Sequence, residues 1–154
     1  MTTPSRKLNG LEVSQHRIEN MIERETKDRE DGIKSITDNG IYWSNAEKIA
    51  NSEGRLEQLR IIKLILDKET SVEEKLERLK ERFEMITDYL LRGPEISSTS
   101  MFSNAIGLAK YEANRETRRD LENIIYLLTN MSGPWWSLGT LTKGTEHVSS
   151  NPNN

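Results

Sequence analysis

The sequence predicts an all-α protein, an elongated helical bundle built round an antiparallel helical hairpin. Three observations indicate this fold. Apolar residues between positions 72 and 90 recur at alternating steps of four and three, which is the spacing of a helix with one narrow apolar face. Capping and stop signals bracket the helical segments. The composition is 34% apolar and 31% charged, with a mean hydropathy of -0.73, so the apolar residues must lie in stripes.

The first helix is predicted over residues 10–37. Its apolar residues fall near one face, although Glu25 and Arg29 stand where that face should continue. Asn39 and Gly40 follow, and both residue types tolerate the positive φ of a turn. The turn therefore ends the predicted helix.

Residues 44–68 and 71–92 form the predicted hairpin. Ser44 and Ser71 each precede a glutamate by three residues, which is the signature of a capping box. The connection between the two helices is so short that they must run antiparallel. Gly93-Pro94 supplies a left-handed C-cap and a stop for the second of them.

A fourth helix is predicted over residues 101–131, because its second half repeats the heptad spacing before a Ser-Gly-Pro stop. The segment 133–154 is rich in Gly, Ser, Thr and Asn after a Trp-Trp pair, and it is predicted to be a flexible, disordered tail. The sequence thus predicts a single helical domain at 10–132, preceded by a flexible N-terminus at 1–9.

No residue pattern indicates catalysis, a cofactor or a metal. The absence of cysteine excludes disulfides, thiolate ligands and cysteine nucleophiles. The histidines, His16 and His147, do not stand at a spacing used by metal sites or catalytic triads. The glutamates between positions 73 and 84 alternate with lysine and arginine, which is typical of solvated surface pairs. We therefore expect no enzymatic activity and no cofactor.

The narrow apolar faces favour self-association, because helices with little apolar surface complete their burial against a second copy. A homodimer or small oligomer is expected. The predicted contact is the α-helical seam formed by Val72, Leu76, Leu79, Phe83, Ile86 and Leu90. The sequence thus predicts a non-enzymatic, coiled-coil-like interaction protein, an adaptor or scaffold. A small helical protein with apolar seams and no catalytic pattern would suit the role of an accessory protein of a virus or mobile element.

The Trp-Trp segment is the second predicted contact. Trp135, Trp136 and Leu138 are expected to bind an unidentified protein partner, because tryptophan often dominates the binding energy of interfaces. The alternative is that this segment folds back over the bundle, near Trp43 or Tyr126, and completes a thin core.

A basic group offers an alternative function, RNA or DNA binding. Lys110, Arg115, Arg118 and Arg119 form the densest basic group, and guanidinium groups suit phosphate oxygens. Acidic residues alternate with them, however, and the net charge of the chain is -3. This pattern favours a solvated helix face over a nucleic-acid surface.

The expected location is cytoplasmic. The first residues lead into charged sequence without the apolar run of a secretory signal. The longest strongly apolar stretch, residues 59–66, is interrupted by Arg60 and Lys63. We therefore expect a soluble, intracellular protein with no membrane partner.

Overall fold

The computed structural model describes residues 9–40, 42–94, 96 and 99–130, with the side chain of Trp43 left out. These residues form an all-α bundle, which confirms the predicted fold class. Its four helices are α1 (Gly10–Asn39), α2 (Trp43–Asp67), α3 (Val72–Leu91) and α4 (Met101–Asn130). The predicted boundaries are correct to within two residues at each end.

Local signals account for most of the helix ends. Gly40 and Gly93 have φ of 65° and 78°, so both predicted left-handed stops are confirmed. The Ser71 hydroxyl accepts a hydrogen bond from the Glu74 backbone N–H at 3.2 Å, as a capping residue should.

Two N-termini differ from expectation. α2 begins one residue before Ser44, with the N-cap Tyr42 already in the helical region and without a side-chain cap, so the predicted Ser44 cap is wrong. A capping box that the prediction missed begins α1: the Asn9 side chain accepts from the Glu12 N–H at 2.9 Å, and the Glu12 carboxylate accepts from the Asn9 N–H at 3.1 Å.

Helix α2 packs mainly against α1 and α4. Gln15, near the start of α1, donates a hydrogen bond to the Leu66 carbonyl at the end of α2, so these helices are antiparallel. Asn51 donates to the Ala109 carbonyl, and both residues lie in the first halves of their helices, so α2 and α4 are parallel. The starts of α2 and α4 therefore lie at one end of the bundle, together with the end of α1.

The α2–α3 hairpin has the predicted antiparallel direction but little packing of its own. Its connection is held by Lys75, whose buried ammonium donates to the carbonyls of Lys68 and Thr70. Farther along, Arg82 donates to the Gln58 side chain. α3 packs more extensively against α4 than against α2. Most of the packing of α3 is thus against α4 and not against its hairpin partner α2.

The core is one contiguous cluster to which every helix contributes. Its buried members are Ile18 from α1, Leu59, Ile62 and Leu66 from α2, Leu79 and Ile86 from α3, and Leu121, Ile124 and Leu128 from α4. Helical spacing places the core residues of each helix on one face of that helix. Burial of each such side chain stabilises the fold by about 1.5–3 kcal/mol.

Gly54 allows α2 and α4 to approach closely. A Cβ atom at this position would lie 3.1 Å from the Ala113 Cβ, which is tighter than ordinary van der Waals contact. We expect Gly54→Val to lower the free energy of unfolding by about 1–3 kcal/mol, because the added methyl groups have no space without separating the helices.

Urea denaturation followed by circular dichroism measures this change. Arg60→Val is the matched control, because it places the same branched residue on an exposed position of α2. A Gly54→Val protein as stable as the control would contradict the close approach.

Candidate functional site

The predicted self-association seam of α3 lies against the core of the same chain. Leu79 and Ile86 are 0% and 3% exposed. Leu76, Phe83 and Leu90 are half-buried and pack on that core, while Val72 is 38% exposed at the start of the helix. The partner helix that the heptad spacing requires is thus supplied within the chain, chiefly by α4. Self-association through this seam stays a prediction, and little of its surface is free.

Four large apolar side chains are exposed in the segment that runs from the end of α3 to the start of α4. Leu91 is 80% exposed, Ile96 61%, Met101 77% and Phe102 47%. We call these four residues the apolar turn cluster. Large apolar side chains that are exposed in one segment of a chain are candidates for a binding surface. Heptad spacing does not reveal this cluster, because its members do not share one helix.

The four basic residues of the nucleic-acid hypothesis do not form one surface. Lys110 lines a groove of about 310 Å³ between α2, α3 and α4, beside Gly54. Arg115 and Arg119 are exposed on the outside of α4. Arg115 lies 3.2 Å from the Glu112 carboxylate, which offsets its charge.

Arg118 faces α3 instead of solvent. Its guanidinium carbon lies 4.5 Å from the centre of the Phe83 ring, and its Nε donates a 2.8 Å hydrogen bond to the Thr87 hydroxyl. A cation over an aromatic face is attracted by the ring quadrupole. Arg118 therefore fastens α4 to α3, and nucleic-acid binding through all four residues stays a prediction.

A buried ionic cluster joins α1, α2 and α4 around Arg55. The Arg55 side chain is 3% exposed, and its Nε donates to the Glu25 carboxylate at 2.7 Å. Its Nη2 donates to Asp120 at 2.9 Å, and its Nη1 lies 3.4 Å from Glu116. Burial would lower the pKa of Arg55, but the hydrogen bonds to Asp120 and Glu25 raise it above its ordinary value.

The sequence carried a signal for this cluster. Glu25 interrupts the apolar face of α1, and a carboxylate in that position needs a buried cation as its partner. The spacing within α1 does not reveal which cation that is, because Arg55 lies on another helix.

Several predicted residues lie outside the described part of the chain. This group includes Trp135, Trp136 and Leu138, so the choice between partner binding and packing stays a prediction. The expected flexibility of 133–154 and of residues 1–8 also stays a prediction, whereas Asn9, the last residue of the predicted N-terminal segment 1–9, caps α1. His147 also lies outside the described residues. The His16 side chain is 63% exposed, with its Nδ1 4.0 Å from the Glu19 carboxylate.

Among the described residues, no group of three or more His, Asp or Glu side chains is arranged to hold a metal ion. None of the helices in this part of the chain combines the length and the apolar character needed to cross a bilayer. No protein-family model, curated protein or solved structure matches the sequence or the fold.

Proposed function

We propose that this chain is a non-enzymatic helical interaction protein that associates with copies of itself and acts as an adaptor or scaffold. One observation carries the proposal: the four residues of the apolar turn cluster, Leu91, Ile96, Met101 and Phe102, are exposed, whereas the core side chains of α3 and α4 are buried. Covering such side chains removes apolar surface from water, which is the dominant gain in protein association.

The placement of the cluster supports a protein partner over a small molecule. The four side chains of the cluster are 47–80% exposed, whereas small-molecule sites are concave and enclose most of their ligand. Core residues of α3 and α4 hold the two flanking helices in place.

We expect the wild-type chain to show a mass above that of the monomer at micromolar concentrations in sedimentation velocity. Replacing Leu91 and Met101 with Ser should shift the protein towards the monomer, because both side chains would leave the interface. Helicity should be retained, because both positions are exposed in the single chain.

Leu64→Ser is the matched control. Leu64 is 72% exposed, comparable to Leu91 and Met101, but it lies near the end of α2 and therefore at the opposite end of the bundle. The control should associate like the wild type. A wild-type chain that stays monomeric at several hundred micromolar would contradict the proposed function.

A further inference from the structure

The outer side of α4 carries a second stripe of residues at heptad spacing. Its first half consists of Met101, Ala105, Leu108 and Glu112, and its second half of Arg115, Arg119, Glu122 and Tyr126. These steps of four and three place all eight side chains on one face of the helix. The buried residues of α4, such as Thr117 and Leu121, lie on the opposite face. We call the eight residues the outer stripe.

The outer stripe is open to a partner. Met101, Leu108 and Tyr126 are 77%, 46% and 49% exposed, so each of these side chains is available to a partner. A groove of about 380 Å³ lies between α4 and α2, beside the first half of the stripe. The stripe extends over roughly 38 Å at 1.5 Å per residue, which is long enough for a helix–helix interface.

The charges of the stripe are arranged for an antiparallel copy of itself. We propose that a second copy of this chain docks with its own α4 antiparallel on the outer stripe, so that Glu112 of each copy faces Arg115 of the other. This inference rests on the self-association in the proposed function and assigns to it an interface along α4 that shares Met101 with the apolar turn cluster. A two-fold axis between the copies makes the Glu112–Arg115 contact occur twice.

The same register matches the rest of the stripe. Leu108, the stripe residue next to Glu112, faces Arg119 of the second copy. The aliphatic stem of this arginine can cover an apolar side chain. Met101 at the end of the stripe faces Tyr126 of the second copy, and a thioether packs favourably at the edge of an aromatic ring. The remaining pair, Ala105 with Glu122, places no like charges together.

Other registers are less favourable. In a parallel arrangement Glu112 faces Glu112 and Arg115 faces Arg115. A shift of the antiparallel register by one heptad in one direction places Arg115 opposite Arg119 and Glu112 opposite Glu122. Like charges that face each other oppose association and act as a barrier to the wrong pairing. A shift in the other direction leaves Glu122 and Tyr126 without a partner residue on the stripe.

The charged residues are available for this exchange. Within one chain Arg115 pairs with Glu112, but both side chains are open to solvent, at 62% and 38% exposure. Exposed pairs of this kind are weakly held. On docking, the two arginines and two glutamates at the axis can form one shared network without first breaking a buried pair.

A charge exchange tests the register. Glu112→Arg and Arg115→Glu should each raise the dissociation constant of the self-complex by about tenfold or more, because each places like charges opposite each other twice. An equimolar mixture of the two variants should recover wild-type affinity to within about threefold, because both contacts are then between opposite charges. Sedimentation velocity with one variant fluorescently labelled measures the mixed complex.

The double variant Glu112→Arg/Arg115→Glu retains the opposite charges in both contacts and should associate like the wild type. It also controls for helix stability, because it preserves the pair within the chain in reversed order. Arg78→Glu, on an exposed position of α3, is the control for a change of net charge and should leave association unchanged.

Cross-linking tests the direction of the helices. The chain contains no cysteine, so introduced thiols are the only ones present. Oxidation of a mixture of Met101→Cys and Tyr126→Cys proteins should give a disulfide-linked heterodimer, whereas neither protein alone should cross-link efficiently. Efficient cross-linking of Met101→Cys alone would overturn the antiparallel arrangement.

The outcomes separate this inference from the proposed function. If the wild type associates but the mixture of charge variants recovers no affinity, the interface lies elsewhere and the inference is overturned. If the wild type does not associate, the proposed function itself fails. If labelled 30-nucleotide RNA or DNA binds the wild type at low salt and Arg115→Glu abolishes that binding without affecting self-association, the stripe is a nucleic-acid surface and the inference is also overturned.

Discussion

Removing the buried guanidinium of Arg55 by Arg55→Met should lower the free energy of unfolding by about 3–5 kcal/mol. The substitution leaves the Glu25 carboxylate, whose side chain is 7% exposed, with Arg24 as its remaining cation, at 3.5 Å on a largely exposed side chain. Asp120 loses its 2.9 Å hydrogen bond but is 20% exposed and can regain some water. The cost thus arises mainly from one buried charge that loses its short hydrogen bond and keeps only a weak, exposed partner.

Chemical denaturation of Arg55→Met against the wild type measures this effect. The control is Arg29→Ala, which breaks an exposed pair with Glu53 at 3.0 Å and should cost less than about 1 kcal/mol. Combining Arg55→Met with Glu25→Leu should recover much of the lost stability, because no buried charge then lacks its partner. Equal losses for the single and combined variants would indicate that Arg55 stabilises the bundle by packing alone.

We expect Leu79→Ala to destabilise the single chain by about 2–5 kcal/mol, the range for a large-to-small change in a packed core. Leu79 is fully buried in the core formed by all four helices. The loss should therefore appear as a lower denaturation midpoint, and its difference from the wild-type midpoint should not depend on protein concentration.

Met85→Ala is the matched control, because Met85 lies on the same helix and is 60% exposed. It should change the free energy of unfolding by no more than about 0.5 kcal/mol. A Leu79→Ala protein with wild-type stability but reduced mass in sedimentation would contradict the intramolecular core. That result would indicate that the α3 seam forms a contact between copies, as its heptad spacing predicts.

The order and extent of the helices could be predicted from the sequence because their signals are local. A glycine with positive φ, such as Gly40 or Gly93, ends a helix through the backbone of its own turn. The Ser71 hydroxyl caps a backbone N–H three residues away. Heptad spacing likewise depends only on residues within one helix, so it correctly identified Leu79 and Ile86 as buried.

The candidate interaction surfaces could be predicted only in part. The sequence grouped Arg115, Arg118 and Arg119 on one face of a helix, but the packing of α3 against α4 places Arg118 over Phe83 and leaves the other two outside. The apolar turn cluster depends on how two helices and their connection are oriented. Spacing within a single helix carries no information of that kind.

The sequence by itself determined the four helices, their turns and which face of each is apolar, since these follow from interactions between residues a few positions apart. Only the tertiary structure decided which partner covers each face. A narrow apolar seam is satisfied equally by a helix of the same chain or of another, and here α4 covers the seam of α3. In the same way Glu25 marked the need for a buried cation, but only the docking of α1, α2 and α4 placed Arg55 beside it.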